Sequence, residues 1–287
     1  MAVVATGFFD GVHIGHRMVI ETLVRSARER GEESLIATLW PHPRIVLHSD
    51  ALNLRLLNTL DEKINLIRGL GVDRVEVLPF TGEFARTSTE DYLKGIVMER
   101  LGGTAVLLGY DNRIGHDAVS PEQTAGIARG MGLDVIMTEK VSAVGLAVSS
   151  TKIRKALLAG DVSTASSYLC YDYSLEGEVV HGRKLGRTIG FPTANMELYE
   201  QMKLVPAEGV YLSRVHVGGR TFHGMTNIGN GIETHIFDFD EEIYGYGIKV
   251  EFLRRIRGEM SFAGLEELRV QLSADEESCR NLLGNLK

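Results

Sequence analysis

Two histidines three residues apart, His13 and His16, stand in the string Thr6-Gly7-Phe8-Phe9-Asp10-Gly11-Val12-His13-Ile14-Gly15-His16. The string follows a β-branched run and opens a helical pattern. At that spacing the two imidazoles share one face of a first helical turn. Beside a helix N-terminus they form a compact donor set for phosphate oxygens, and the three glycines allow the backbone to approach a ligand. A second stretch, Ser149-Ser150-Thr151-Lys152-Ile153-Arg154, combines a good helix start with two cations, which reads equally as a cap or as an anion site. A third, Gly182-Arg183-Lys184-Leu185-Gly186-Arg187-Thr188-Ile189-Gly190-Phe191-Pro192-Thr193-Ala194-Asn195, is rich in glycine yet lacks the Walker A spacing. Glu233 lies in the alternation Glu233-Thr234-His235-Ile236-Phe237, which turns Glu233, His235 and Phe237 to one face. A carboxylate there can accept a proton from an alcohol, or it can be an ordinary exposed strand residue.

The elements that position these groups fall into two regimes. Up to about Leu169, short apolar strands (Val3–Thr6, Ser34–Thr38, Val75–Leu78, Ala105–Leu108, Val135–Met137) alternate with helical patterns (Gly15–Arg30, Asp61–Leu70, Thr89–Leu101, Pro121–Met131). Repeated β-α-β units imply a parallel sheet covered on both faces, with ligands at the carboxyl ends of its strands. From Ser174 the pattern changes to alternating runs punctuated by glycine, at Leu175–Val180, Val210–Val217, Thr221–Met225, Glu233–Phe237 and Ile248–Phe252, with a last helix near Leu265–Leu272. That pattern predicts an antiparallel barrel or sandwich. The boundary is placed near Tyr171, giving domains 1–171 and 172–287.

Composition narrows the class. An apolar fraction of 44% and a charged fraction of 24% over 287 residues describe an ordinary globular chain of about two domains. The net charge of −7 and the lack of a basic run argue against a nucleic-acid partner. No apolar stretch is long enough for a membrane helix, and the N-terminus lacks a signal pattern. The two cysteines form no C-x-x-C pair, so a reducing, cytoplasmic compartment is expected.

The paired H-I-G-H and Ser149–Arg154 segments resemble the nucleotidylyltransferase superfamily. With Pro41-His42-Pro43 and Gly109-Tyr110-Asp111 they look like the FAD synthetase module of bacterial bifunctional riboflavin kinase/FAD synthetases. The string 182–195 resembles riboflavin kinase over nearly all of residues 174–287. With it go Gly209-Val210-Tyr211, Asn227-Ile228-Gly229, Glu233-Thr234-His235, Tyr244-Gly245 and Ile256-Arg257-Gly258-Glu259. The resemblance implies an α/β fold with a Rossmann-like N-terminal domain and a C-terminal kinase barrel. It implies phosphorylation of riboflavin to FMN with ATP, then adenylylation of FMN to FAD. Gly7, Phe9, Gly11, Asp111, Ser149, Thr151 and Arg154 would then hold ATP, with His13 and His16 stabilising the triphosphate. His42 and Pro43 would line the FMN side. In the second domain, Gly182, Lys184, Gly186 and Gly190 would approach ATP phosphates. Thr193 and Asn195 would hold Mg²⁺, Glu233 would act as base, and Asn227 and Arg257 would face the flavin. Arg257 and Glu259 could alternatively form a structural ion pair.

Against the family pattern, Asn112 and Ile114 stand where phenylalanines are common, and the segment between Gly229 and Glu233 is short. The resemblance leaves a homo-oligomer open. One rival reading is an adenylyltransferase with a regulatory flavin-binding second domain. The Pro-Thr-Ala-Asn string and Glu233 argue against it, because mere binding needs neither metal nor base. The other rival is a tRNA-dependent enzyme, since H-I-G-H also occurs in class I synthetases; the acidic balance and short chain oppose it.

Overall fold

The computed structural model describes residues 1–47, 54–109, 113–138, 148–182 and 185–285. The chain divides into two compact units, Met1–Ser150 and Thr151–Lys287.

In the first unit five parallel strands form one sheet in the order β3-β2-β1-β4-β5. They are β1 (Ala2–Thr6), β2 (Glu33–Trp40), β3 (Arg74–Pro79), β4 (Gly103–Leu108) and β5 (Asp134–Met137). Alternate residues face opposite sides, so the sheet feeds two cores. Val3, Ala5, Ile36 and Leu107 pack under α1 (Ile14–Arg30) and α3 (Leu60–Gly69), against Ile20, Leu23 and Ile67. Val4, Leu35, Ala37 and Val106 pack on the other side against Leu93, Val97 and Ala128. These last come from α5 (Pro121–Gly130) and from a helical segment that begins as α4 (Thr89–Asp91) and continues as a π-helix, Tyr92–Arg100. A short α2 (Pro43–Leu47) follows β2. Capping boxes at Thr59/Glu62 and Ser120/Gln123 set the starts of α3 and α5. Strand order reverses direction between β1 and β4, and the crevice beyond their carboxyl ends is where an open α/β sheet admits ligands. The histidine string leaves β1 there.

The second unit is a closed barrel in the order β10-β7-β6-β11-β8-β9, every pair antiparallel. Its strands are β6 (Ser174–Val180), β7 (Ala194–Leu198), β8 (Gly209–Val217), β9 (Arg220–Ile228), β10 (Ile232–Ile236) and β11 (Gly247–Arg257). Helices α6 (Ser150–Leu158) and α7 (Val162–Leu169) precede the barrel, α8 (Leu185–Thr188) interrupts β6 and β7, and α9 (Leu265–Asn285) closes the chain. Tyr173, Tyr211, Val250 and Phe252 are fully buried in this unit.

Three features differ from the sequence expectation. Pro-Thr-Ala-Asn runs directly into strand β7, because its neighbours β6 and β10 supply hydrogen-bonding edges that the glycine-rich reading of 182–195 did not anticipate. Helix α9 runs on well past Leu272, since Asp275, Cys279, Leu282 and Leu283 continue its buried face. The helical stretch before the barrel groups with the second unit from Thr151 onward. Leu157 O accepts from Ala207 N at 3.0 Å, and Ala159 O accepts from Arg255 Nη1 at 3.2 Å. At the two departures from the family pattern, Ile114 is buried in the sheet core, while Asn112 lies outside the described residues. Gly229–Gly231 forms a tight turn, with Gly229 N donating to Gly231 O at 3.0 Å.

Candidate active sites

In the first unit the histidine string is held by hydrogen bonds from several elements. Gly7 N donates to Ala37 O. Asp10, buried, accepts Leu57 N at 3.0 Å and Asn58 N at 3.3 Å through Oδ1, while its carbonyl accepts the Ser150 hydroxyl at 2.9 Å. The carbonyl of Phe8 accepts both Thr38 Oγ1 at 3.3 Å and Lys63 Nζ at 3.0 Å. This lattice sustains positive φ at Phe9 (54°), Gly11 (87°) and Val12 (37°). For the two non-glycine residues such backbone costs on the order of 1–3 kcal/mol each and persists only where surroundings over-determine it.

His13 caps α1, its Nδ1 accepting from His16 N at 3.4 Å. The two imidazoles stack at 3.7 Å, and Phe9 meets His16 edge-on at 5.3 Å. Burial lowers the His13 pKa to about 4. Burial, then the neighbouring His13 and Lys63, hold His16 well below the usual histidine range. Both rings are therefore neutral near pH 7. The Nδ1 of His16 is buried and has no hydrogen-bond partner among the described residues. His42 stands edge-on to Phe8 at 4.1 Å, Pro43 begins α2, and the His42 Nδ1 accepts from Arg44 N. Thus Gly7, Phe9, Gly11, His13, His16 and Ser149–Ser150 gather at the crevice. Thr151 and Arg154 lie on α6 in the second unit. Asp111 lies outside the described residues.

The sequence reading missed Lys63. Its side chain, from α3, is almost wholly buried beneath the loop, 3.9 Å from the Phe8 ring centre. Burial pulls its pKa down to about 8, opposed by Asp10. The available signal was its place at i+4 from the Thr59 cap, on the inward face with Ile67.

In the second unit strand register does the positioning. Glu233 on β10 is directly opposite Asn195 on β7 and Asn227 on β9. Opposed residues on antiparallel strands project to the same side, so the three polar side chains form a row across the barrel mouth. They line a cavity of about 420 Å³ with Thr193 and Arg257, and its apolar wall includes Phe191, Met225 and Leu272. Thr193 Oγ1 donates to Glu233 Oε2 at 3.3 Å. His235, two residues along β10, bonds Pro192 O at 2.8 Å and so fixes the residue before Thr193. Gly186 is required by close approach, since a Cβ would lie 2.1 Å from the backbone O of Phe191, while at Gly182 a Cβ would lie 2.3 Å from Asn195 Nδ2 and displace that side chain. Gly190 (φ 88°) makes the turn into Phe191, and Lys184 lies outside the described residues. Arg257 pairs with Asp275, not with Glu259. A second cavity of about 410 Å³ lies beside the first, bordered by Arg187, Pro192, Asp240 and Tyr244, with Thr193 common to both.

Thr193 and Asn195 suit Mg²⁺, a hard cation that takes few protein oxygens and completes its shell with water and phosphate. Among the described residues no cluster of three or more His, Cys, Asp or Glu offers a denser metal site.

The riboflavin kinase family model matches residues 169–283 and the FAD synthetase model residues 1–152. A bifunctional riboflavin kinase/FMN adenylyltransferase from Bacillus subtilis is 36% identical, with 100% of this chain and 94% of that protein covered. Its counterpart from Escherichia coli is 33% identical, covering 99% and 94%. A crystal structure from Streptococcus pneumoniae, described as a macrolide-efflux protein, superposes with a TM-score of 0.90 at 31% identity over 98% of this chain and 94% of that one. No helix among the described residues here is long and apolar enough to cross a membrane. On its two family matches and its full-length relatives, the chain belongs to the bifunctional riboflavin kinase/FMN adenylyltransferases.

Proposed function

We propose that the chain carries out its two reactions at two separate sites, one per unit. The observation that carries this reading is the Asn195–Glu233–Asn227 row beside Thr193, a base and a metal-suited oxygen pair complete within the barrel.

In the barrel, riboflavin occupies the cavity with the apolar wall, and ATP lies in the neighbouring cavity with its phosphates at Thr193. Glu233 accepts the proton of the ribityl hydroxyl as that oxygen bonds to the γ-phosphorus and the bond to ADP breaks. Mg²⁺, when held by Thr193 and Asn195, neutralises charge on the transferred phosphoryl group. Asn227 and Arg257 face the flavin. Backbone N–H groups at Gly182, Gly186 and Gly190 approach the nucleotide phosphates, with Lys184.

In the first unit, the FMN phosphate attacks the α-phosphorus of ATP and pyrophosphate leaves. The nucleophile is already an anion, so no base is needed. His13 and His16 donate to the developing negative charge, and the orphaned Nδ1 of His16 gains a partner there. Backbone groups of Gly7, Phe9 and Gly11 support the triphosphate with Ser149, Asp111 contacts the adenosine, and His42 and Pro43 line the FMN side. We place both reactions in the cytoplasm, without nucleic-acid or membrane partner; two free cysteines, Cys170 and Cys279, agree with a reducing setting.

The test is a time course with riboflavin, ATP and Mg²⁺. Glu233→Gln is expected to lower FMN formation by at least ~10²-fold and leave FAD synthesis from supplied FMN nearly unchanged. His16→Ala is expected to do the reverse, with FMN accumulating as FAD formation falls about 10²–10³-fold. Equal loss of both activities in either variant would refute the assignment to separate sites.

A further inference from the structure

Arg257 ends β11 at the rim of the cavity that holds Glu233. Its guanidinium has five N–H donors. Nε donates to both carboxylate oxygens of Asp275 at 3.0 Å, and Nη2 donates to Oδ2 at 2.8 Å. Nη1 donates to Gly258 O at 3.0 Å. One N–H on each terminal nitrogen is thus uncommitted among the described residues. Asp275, on α9, is 2% exposed and also accepts Gln271 Nε2 at 2.8 Å. The guanidinium lies 5.8 Å from the Phe262 ring, a second constraint on its plane.

This pair is poorly explained as an anchor for α9. The helix is already seated by Leu272, Cys279, Leu282 and Leu283 against Phe191, Val210 and Leu212. Burying a carboxylate costs several kcal/mol, and a buried ion pair often adds nothing over an apolar contact. What it does supply is direction. A bidentate carboxylate fixes the plane of a guanidinium. Without it, Glu259, two residues on and bordering the same cavity, is a competing anion that would draw Arg257 out of place.

We infer that Asp275 is a positioning residue of the kinase site, holding Arg257 so that its two uncommitted N–H groups face the flavin. The inference rests on the reading of Arg257 as a flavin contact. It makes α9, which also contributes Leu268 and Leu272 to the cavity wall, part of the riboflavin-binding apparatus.

The experiment is steady-state riboflavin kinase kinetics on the full chain, with FAD synthesis from FMN measured in parallel. Asp275→Asn is expected to raise the riboflavin KM at least ~10-fold with kcat within about threefold, and Asp275→Glu to recover part of the loss. Arg257→Ala is expected to raise KM similarly, and adding Asp275→Asn to it to change nothing more. FAD synthesis stays at the wild-type level throughout. A wild-type KM in Asp275→Asn, or a loss that adds in full to that of Arg257→Ala, overturns the positioning role. A wild-type KM in Arg257→Ala overturns the flavin reading beneath it. Should Asp275→Asn fail to fold, Arg257→Lys decides: it keeps the charge but loses the fork that Asp275 grips, and an unchanged KM there overturns the proposal.

Discussion

His13 and His16 are neutral because burial withholds water from the charged ring, and the charge of Lys63 adds to the effect on His16. Protonation is then linked to folding. The folded value for His13, about 4, lies below the ordinary 6.5, so between those values the unfolded chain binds more protons. Stability from this group is fully present above about pH 6.5 and is lost as pH falls toward 4. His13→Gln removes the titration. Its unfolding free energy, followed from pH 7 to 4, is expected to fall less steeply than the wild type's, by up to roughly 3 kcal/mol across that window. Parallel slopes would contradict the burial argument. At this same scale the sequence was legible where spacing carried the chemistry: His13, His16, Thr193, Asn195 and Glu233 are placed by short motifs and strand alternation. Lys63 carried only the faint signal of its place four residues after the Thr59 cap, and Asp275 carried none. Each is one charged residue on an amphipathic helix, and only the packing of α3 and α9 turns it inward.

Helices α6 and α7 pose the question of boundaries. As sequence they continue the helical pattern of the first regime, which is why the change of character falls near Tyr171. As packing, Leu157, Val162, Ala165 and Leu169 are fully buried, and Arg255 of β11 reaches Ala159 O and Glu208 O. A fragment of residues 151–287 is therefore expected to fold and convert riboflavin to FMN. One starting at 172 strips Ala159, one of those two partners of Arg255, and the cover over that side of the barrel, and is expected to melt at least ~4 °C lower. Thermal denaturation of the two fragments checks this, and equal melting temperatures would return α6 and α7 to the first unit. The fate of the Pro-Thr-Ala-Asn string follows the same logic: the glycines before it and its own proline read as turns, and only pairing with β6 and β10 makes its end a strand.

For the whole molecule, the two regimes of sequence pattern correspond to two architectures with nothing in common but the chain. Continuous apolar strands announced a sheet buried on both faces, and alternation with frequent glycine announced an antiparallel barrel or sandwich; the resemblance pointed to the barrel, and the structure closes it where β10 meets both β7 and β9. If each unit holds a complete site, FMN is the only thing they must share. Mixing Glu233→Gln with His16→Ala in one vessel is accordingly expected to restore FAD formation from riboflavin, at a rate that rises with total protein. Failure to recover any FAD, with each variant retaining its own single activity, would mean that FMN does not leave the chain that made it.

Thr193 borders both cavities of the barrel and donates its hydroxyl proton to Glu233. Water is always the rival acceptor for a phosphoryl group, and an unoccupied carboxylate beside ATP would activate it. While Thr193 is bonded to Glu233, one oxygen of that carboxylate is already occupied, and a water must displace the hydroxyl to be activated there. A metal ion bound through a lone pair of the same hydroxyl would leave its proton still donated. On the proposed placement of ATP, idle hydrolysis in the absence of vitamin is restrained through this bond, and Thr193→Ser, which keeps the metal-suited oxygen but lets the hydroxyl turn away, would show the leak as ADP released without FMN.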